Sequence, residues 1–290
     1  SNWKIGCKEC IKSRNEAEKL SLEKYKNKAL GLFESVHTDY RGRKDIMDIA
    51  IASDNNYAPH AATLICSICE NNKENINVHL IDGGIEEQVY KKIESLKEKY
   101  THLTIKRYIF TETDIRKRIG CDLAHDRSLS AYSRILIPEL VDESIDKIVY
   151  LDADGIICSS IKELFEIDMK DYAIAGVLDV VNCEKRLNIG LKLDDKYINS
   201  GMILWNLRKC REIDIVNKFI EFIKSKNGNV VAMDQGTING TLKGNILILH
   251  PKWNVLTPFY QLSAEQLKRT YNLYEYYSQK QLDEAIKNPI

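Results

Sequence analysis

The chain of 290 residues is long enough for one large α/β domain or two smaller ones, and its 42 Lys and Arg residues balance 42 Asp and Glu residues. A formal net charge of zero gives no overall field to attract a polyanion, which disfavours a nucleic-acid-binding module. No segment reaches the roughly 18 uncharged apolar residues of a membrane span, and the first residues lack a signal-peptide core. The sequence therefore predicts a soluble protein without an export signal.

The cysteines are typical of buried thiols in a reducing compartment, because several of the eight lie within apolar segments. Cys7/Cys10 and Cys66/Cys69 have the C-x-x-C spacing that also occurs in zinc sites. The interval between the pairs is far longer than the roughly 15–20 residues of a zinc ribbon, and CSIC lies in a helical pattern. Packing is favoured for Cys66 and Cys69, whereas packing and zinc both stay open for Cys7 and Cys10.

The composition changes near residue 45. Residues 1–45 are rich in Lys and Glu with sparse apolar positions, which predicts an N-terminal polar helical extension. From residue 46 onwards, apolar runs typical of strands alternate with helical patterns. Strands are predicted at IMDIAIASD, NINVHLIDGG and LTIKRYIF, with helices at ATLICSICENN and EEQVYKKIESLKEKY. This alternation indicates parallel strands joined by right-handed crossovers.

The second half continues the same pattern. SLSAYSRILIPELV has helical spacing ended by a proline, and DKIVYLDADG is predicted to be the fourth strand. Short apolar runs follow at YAIAGVLDVV and MILWNLRKC, then helices at IVNKFIEFIKSK and MDQGTINGTL and a strand at NILILH. The simplest architecture is one αβα domain over residues 46–290, with functional residues at the carboxyl ends of its strands.

The stretch IVYLDADG places two carboxylates at the end of an apolar strand. Strand residues i and i+2 point to the same side, so Asp152 and Asp154 can converge while Ala153 faces away. Their mutual repulsion is relieved by a hard divalent cation such as Mg²⁺ or Mn²⁺, and Gly155 permits a close backbone turn. D-x-D and D-G are also common in solvated turns, so the motif alone leaves both interpretations open.

The surrounding residues favour the first interpretation. IVYLDADGIICSSIKELF resembles the nucleotide-sugar site of GT-A glycosyltransferases, in particular glycosyltransferase family 8, which includes bacterial lipopolysaccharide galactosyl- and glucosyltransferases and glycogenin. The resemblance continues in the same order over five further blocks: IAIASDNNYA, AYSRILIPEL, INSGMILWNLRK, MDQGTINGTLKG and PKWNV. It implies a single GT-A type α/β domain with a mixed, mostly parallel central sheet.

The resemblance also implies an activity. Family 8 enzymes transfer a hexose such as galactose or glucose from a UDP-sugar to a hydroxyl of a saccharide or glycolipid acceptor, with retention of configuration and with Mn²⁺ or Mg²⁺. The alternative is a catalytically weak or inactive family member that binds a nucleotide sugar. The acceptor class implies a cytoplasmic enzyme, with peripheral membrane association at the inner face as one option, and the sequence indicates no oligomeric state.

The donor-site residues follow from the family motifs. Asp54, Asn56 and Tyr57 match positions that contact uracil and ribose, which suits their amide, carboxylate and aromatic chemistry, although an ordinary Asx turn has the same composition. Arg134 matches an arginine near the donor sugar and phosphates. The remaining donor-site positions implied by the resemblance are Ala52, Ser53, Asp152, Ala153, Asp179, Asn199, Ser200 and Gly201, the last three in a family loop that faces the sugar.

The catalytic pair implied by the resemblance is Asp234 and Gln235, which match a D-Q pair beside the reacting carbon. Many members continue as D-Q-D, whereas Gly236 stands at the third position here. Glutamine is a poor nucleophile, so double displacement and front-side attack both stay open, and front-side attack is favoured.

Asp152 and Asp154 are the implied metal ligands, and the family completes this site with a histidine in a C-terminal H-[FY]-x-G-x-x-K-P-W block. That block is absent from the sequence, which ends in a segment resembling the one before it, and we expect the metal-ligand segment to be missing. His250 is a candidate substitute for this histidine, but its place directly before the turn PKWN favours a structural role. The acceptor is expected to meet residues 182–197 and the tyrosine-rich residues 257–280.

Overall fold

The computed structural model describes residues 46–123 and 129–290, so the predicted extension over 1–45, including Cys7 and Cys10, lies outside the described residues. Seven strands form one sheet within the described ranges. The strands are β1 Ile46–Ser53, β2 Asn75–Asp82, β3 Leu103–Ile109, β4 Lys147–Asp152, β5 Ile174–Leu178, β6 Ile198–Asn206 and β7 Leu247–Ile248. The α-helices are α1 Ala58–Asn71, α2 Glu87–Glu94, α3 Leu96–Lys99, α4 Glu112–Ile119, α5 Ile137–Leu140, α6 Lys162–Glu166, α7 Cys183–Asn188, α8 Leu207–Glu212, α9 Ile215–Ser225, α10 Met233–Leu242, α11 Thr257–Gln261, α12 Ala264–Tyr271 and α13 Gln279–Lys287.

The sheet has the strand order β3-β2-β1-β4-β6-β5-β7. The pairs β2/β3, β1/β4 and β5/β7 are parallel, whereas β6 runs antiparallel to both of its neighbours, β4 and β5. The predicted mixed, mostly parallel sheet of a single α/β domain is thereby confirmed. The reversal of β6 matters for the site, because the amino end of β6 lies beside the carboxyl end of β4.

The core is divided by the sheet into two apolar layers, as the two-residue period of a strand requires. Along β4, Val149 and Leu151 pack in one layer with α1, whereas Ile148 and Tyr150 pack in the other with α9. The alternation along β4 therefore determines the layer in which each of its side chains packs. Within the described ranges, no helix combines the length and apolar composition needed to cross a bilayer.

Three details of the predicted elements are wrong. Most of the expected helix at SLSAYSRILIPELV is a 3₁₀ helix over Leu129–Leu136, and Pro138 lies at the start of the short helix α5 because a proline ring fits a first helical turn. NILILH contributes only the two-residue strand β7. INSG, expected in a loop, is the beginning of β6.

The CSIC pair lies on α1, as the helical spacing predicts. Cys69 is buried in the core, and Cys66 packs against the same apolar layer. Burial, followed by the neighbouring Cys66 and Glu70, raises the pKa of Cys69 to about 12. The packing interpretation of this pair is confirmed.

Candidate active site

The carboxyl ends of β1 and β4 form the centre of the candidate site. These strands are parallel neighbours, with Ala52 paired to Asp152, so the turn after β1 and the D-x-D motif end at the same edge. Together they border a cavity of about 420 Å³. Its lining includes the predicted residues Ala52, Ser53, Asp54, Tyr57, Arg134, Asp152, Ala153 and Asp154. Two motifs separated by about a hundred residues in the sequence therefore line one cavity.

The turn after β1 has the Asx geometry that its composition allows. Asp54 Oδ1 accepts hydrogen bonds from the backbone N–H groups of Asn56 (2.9 Å) and Tyr57 (3.0 Å). The Tyr57 side chain is 49 % exposed and lines the cavity, whereas Asn56 is exposed and does not line it. The structure thus brings Asp54 and Tyr57 to the cavity but not Asn56.

The reversed strand β6 adds the INSG residues to this edge. Met202 pairs with Leu151, so Gly201 follows beside Asp152. A Cβ atom at Gly201 would lie 2.9 Å from Asp152 Oδ2 and 2.9 Å from Asn199 Oδ1. Only a glycine lets these two side chains approach the strand so closely. The sugar-facing role stays a prediction, but the residues lie in a strand rather than a loop.

Arg134 connects these elements through its guanidinium. The residue is buried, with 8 % of its surface exposed. Its Nη2 lies 2.9 Å from Asp152 Oδ1, and its Nε lies 3.1 Å from Asp234 Oδ2. Its Nη1 donates to the Ser200 carbonyl at 2.8 Å and to Ser200 Oγ at 3.2 Å, and Nε also donates to the Ala131 carbonyl at 3.1 Å. This one side chain therefore fixes the positions of residues from β4, β6 and α10.

Burial and neighbouring charges shift the pKa values of Arg134 and Asp234. Burial lowers the pKa of Arg134, but Asp234, Tyr150 and Asp152 together outweigh it and raise the pKa above its ordinary value. The guanidinium stays charged. Burial raises the pKa of Asp234, and Arg134 opposes that shift.

Tyr150 is a site residue that the sequence reasoning missed. Its hydroxyl donates to Asp152 Oδ1 at 3.0 Å, and its ring lies 4.6 Å from the Arg134 guanidinium carbon. It also lines the cavity. A signal was present, because Tyr150 precedes Asp152 by two residues in a strand and so shares its side. The other lining residues that were missed are Ser130, Ala131 and Met233.

Gln235 is held at both ends of its amide. Its Oε1 accepts from the Ser200 backbone N–H at 2.9 Å and from Ser200 Oγ at 3.3 Å. Its Nε2 donates to Asp179 Oδ2 at 2.8 Å and to the Tyr197 hydroxyl at 3.1 Å. These contacts fix the orientation of the amide and connect β5 to α10. Tyr197 is a second residue that the sequence reasoning missed.

Two further hydrogen bonds complete the network. Ser200 Oγ donates to Asp234 Oδ2 at 2.9 Å. Asn199 Oδ1 accepts from Asn254 Nδ2 at 2.9 Å, and Asn199 Nδ2 lies 3.4 Å from Asp179 Oδ2. The predicted residues Asp152, Arg134, Ser200, Asp234, Gln235, Asp179 and Asn199 are therefore joined by continuous polar contacts.

Asp152 and Asp154 supply some of the oxygen ligands that a hard divalent cation needs. Asp152 and Asp154 line the same cavity and offer oxygen ligands, and Asp152 Oδ2 is not the oxygen that Arg134 and Tyr150 contact. Residues 46–123 and 129–290 contain no group of three or more His, Cys, Asp or Glu residues arranged to hold an ion. The two aspartates therefore offer carboxylate oxygens at one cavity but do not by themselves form a complete coordination shell.

His250 has the structural role that its position favours. Its Nδ1 accepts from the Lys252 backbone N–H at 3.2 Å, which caps the 3₁₀ turn Pro251–Trp253, and its Nε2 lies 3.7 Å from Glu284 Oε2. It does not line the cavity that contains Asp152.

Comparison with known proteins identifies the family. The family model described as "Glycosyl transferase family 8" matches residues 48–287. The chain belongs to glycosyltransferase family 8. The matched range contains every predicted site residue. The resemblance to this family, predicted from the D-x-D block and the five further blocks, is confirmed. The predicted enzyme class, a hexosyltransferase, is confirmed as well.

Curated family 8 relatives include two bacterial proteins. General stress protein A of Bacillus subtilis (strain 168) is 31 % identical over 221 residues, which span 74 % of this chain and 76 % of the relative. A lipopolysaccharide 1,2-glucosyltransferase of Escherichia coli (strain K12) is 26 % identical over 235 residues, which span 80 % of this chain and 68 % of the relative.

Solved structures share the fold. The galactosyltransferase LgtC, crystallised with donor and acceptor sugar analogues, superposes with a TM-score of 0.65 at 21 % identity, over 83 % of this chain and 95 % of that one. The bifunctional glycosyltransferase WbbM gives a TM-score of 0.68 at 18 % identity, over 84 % of this chain but only 45 % of that longer protein. These matches confirm the predicted GT-A type fold.

Proposed function

We propose that this family 8 protein transfers a hexose from a UDP-sugar to a hydroxyl of a saccharide or glycolipid acceptor, with retention of configuration. The observation that carries the proposal is the cavity of about 420 Å³, which is lined both by the turn after β1 and by the D-x-D motif, with Arg134 paired to Asp152. The names of two relatives support hexose chemistry, since one is a glucosyltransferase and another a galactosyltransferase.

The cavity suits a nucleotide sugar because its two ends differ in chemistry. At the β1 end, the half-exposed Tyr57 ring offers a stacking face for a pyrimidine, and the Asp54 carboxylate offers a hydrogen-bond acceptor. At the β4 end, Asp152 and Asp154 are the residues that would hold a divalent cation. Such a cation would neutralise the diphosphate leaving group.

We propose front-side displacement at the anomeric carbon. The bond from that carbon to the diphosphate oxygen breaks, the acceptor oxygen bonds to the same face, and the acceptor proton passes to the departing diphosphate. The Gln235 amide is held by Ser200, Asp179 and Tyr197, which suits an orienting group better than a nucleophile. Asp234 is anchored by Arg134 and Ser200 Oγ and would orient sugar hydroxyls.

Isothermal titration with UDP, with and without Mn²⁺, tests the donor site. We expect affinity to rise with Mn²⁺ in the wild type and this gain to be lost in Asp152→Asn. Asp171→Asn, an exposed aspartate just before β5, is the matched control and should behave as wild type. UDP affinity that does not depend on the metal would disprove the cation's role at Asp152 and Asp154.

Hydrolysis of a panel of UDP-sugars tests the reaction and the donor. We expect UDP-galactose or UDP-glucose to be hydrolysed slowly in the absence of an acceptor, with loss in Asp152→Asn. UDP binding without hydrolysis or transfer of any sugar would instead support the alternative, a nucleotide-sugar-binding family member without catalysis.

A further inference from the structure

A second cavity, of about 270 Å³, lies beside the candidate site. One wall comes from the end of β5 and residues 193–197, and the other from residues 273–281. Both walls fall within or next to segments that the sequence predicts to meet the acceptor. The volume is near the lower end of the range of about 300–1,000 Å³ typical of small-ligand pockets, which suits one or two sugar rings.

This second cavity is connected to the candidate site through Gln235. Asp179 and Tyr197 both line the cavity, and both accept hydrogen bonds from Gln235 Nε2, at 2.8 Å and 3.1 Å. A hydroxyl bound in the cavity near Asp179 would therefore lie next to the amide proposed to orient the reacting sugar.

The lining of this second cavity is acidic. Its carboxylates belong to Asp179, Asp194, Asp195 and Glu275, whereas its cations belong to Arg186 and Lys196. Among the described residues, Asp194, Glu275 and Lys196 form no ion pair. Exposed carboxylates accept hydrogen bonds from sugar hydroxyls, and an excess of them repels a phosphate or carboxylate on a ligand.

Aromatic side chains supply apolar faces. The Tyr276 hydroxyl donates to the Leu178 carbonyl at 3.1 Å, and the Tyr277 hydroxyl donates to the Leu249 carbonyl at 2.7 Å. These bonds anchor both tyrosines to the edge of the sheet while each side chain lines the cavity. Rings held in this way can pack on the C–H face of a sugar.

Arg186 holds the two walls together. This residue is 4 % exposed, and its Nη1 and Nη2 donate to the carbonyls of Leu193 and Asn272, each at 3.1 Å. Its Nε has no hydrogen-bond acceptor among the described residues. Arg186 therefore places a buried positive charge in the cavity wall and fixes the two segments that form it.

We propose that this cavity is the acceptor subsite and that it binds a neutral sugar residue, discriminating against sugars that carry a phosphate or carboxylate. The proposal rests on the proposed glycosyl transfer. Asp194 and Glu275 determine the charge preference, and neither contributes to the donor cavity.

The test separates donor chemistry from acceptor binding. UDP-hexose hydrolysis and UDP affinity report the donor site alone. Transfer is then measured with lactose, maltose and methyl β-glucoside as neutral probes and with glucuronate and glucose 6-phosphate as anionic probes. The variant is Asp194→Asn/Glu275→Gln, and Glu221→Gln, an exposed glutamate on α9, is the matched control.

We expect a neutral probe to accelerate UDP release, and the double variant to raise the KM for that probe about tenfold without changing kcat, hydrolysis or UDP affinity. Glu221→Gln should change nothing. An unchanged KM in the double variant, or acceleration only by anionic probes or by none, overturns the subsite.

If the wild type neither binds UDP nor hydrolyses a UDP-sugar, the proposed function fails by itself, and saturation-transfer NMR with the same probes still tests the cavity. Binding of a neutral probe that is weakened in the double variant supports the subsite. Equal binding by both proteins, or no binding, overturns it.

Discussion

Arg134 Nη2 lies 2.9 Å from Asp152 Oδ1, with the arginine side chain 9 % exposed and the aspartate side chain 38 % exposed. The first carboxylate of the D-x-D motif is therefore oriented by an internal cation before any ligand is bound. The Tyr150 hydroxyl contacts the same oxygen, which leaves Oδ2 as the oxygen free of both groups. Such preorganisation spares the site from reorienting Asp152 when the donor binds.

Replacing Arg134 should destabilise the fold. Arg134→Met leaves Asp152 and Asp234 without their shared cation, and removing one partner of a buried pair costs about 3–5 kcal/mol in the free energy of unfolding. Urea unfolding measures this change. Arg208→Met, at an exposed position, should stay within about 0.5 kcal/mol of the wild type. A loss for Arg134→Met no larger than that of the control would contradict the role of Arg134 as the connecting residue.

Adding a methyl group at Gly201 should displace the Asp152 carboxylate. The new Cβ would lie 2.9 Å from Asp152 Oδ2, so we expect Gly201→Ala to weaken Mn²⁺-dependent UDP binding at least about tenfold while the protein stays folded. Ser225→Ala, at an exposed position at the end of α9 and away from the donor cavity, is the control. Titration calorimetry and circular dichroism separate binding from folding, and equal binding by both variants would refute the prediction.

Removing the Gln235 amide should affect transfer more than binding. We expect Gln235→Ala to lower the rate of UDP-hexose turnover by about a hundredfold while UDP affinity changes by less than about threefold. The amide contacts Ser200, Asp179 and Tyr197, none of which lines the donor cavity. The exposed Gln88→Ala on α2 is the control. A parallel loss of affinity and turnover would assign Gln235 to donor binding instead.

Thiol labelling should distinguish the cysteines. With its pKa raised to about 12, Cys69 has roughly one thiolate in ten thousand molecules at pH 8, and burial also raises the pKa of Cys210. Because the raised pKa lies well above pH 9, an increase from pH 7 to pH 9 should leave both thiols unreactive in the folded protein. Iodoacetamide, with detection by mass spectrometry, should modify the exposed Cys158 in the native protein and Cys69 only after unfolding in urea. Labelling of Cys69 as fast as Cys158 in the native protein would show that its packing is loose.

Local rules predicted the parts of the site that lie within one strand. The predicted convergence of Asp152 and Asp154 at one cavity is confirmed, but β4 ends at Asp152 and Asp154 lies in the turn that follows, so the two-residue period does not explain it. That period does relate Asp152 to Tyr150 and could have identified Tyr150. The helical spacing of CSIC likewise predicted the packing of Cys69. In each case neighbours along the chain determine the geometry, so a short stretch of sequence contains the information.

The contacts between distant segments could not be read in this way. Ser200 and Gly201 reach Asp152 because β6 runs antiparallel to β4, and no local pattern encodes the direction in which a strand is inserted. The misassigned proline in AYSRILIPEL has a similar origin, since tertiary packing decides between a 3₁₀ and an α-helical turn there.

The sequence by itself determined the alternation of strands and helices and the family, because these depend on local periodicity and on ordered motifs, and it predicted most of the residues that line the candidate site. The tertiary structure alone decided how those residues are connected. Arg134 became the cation shared by Asp152 and Asp234, and Gln235 became the link between two cavities, because strand order and direction bring together side chains that are far apart in the chain.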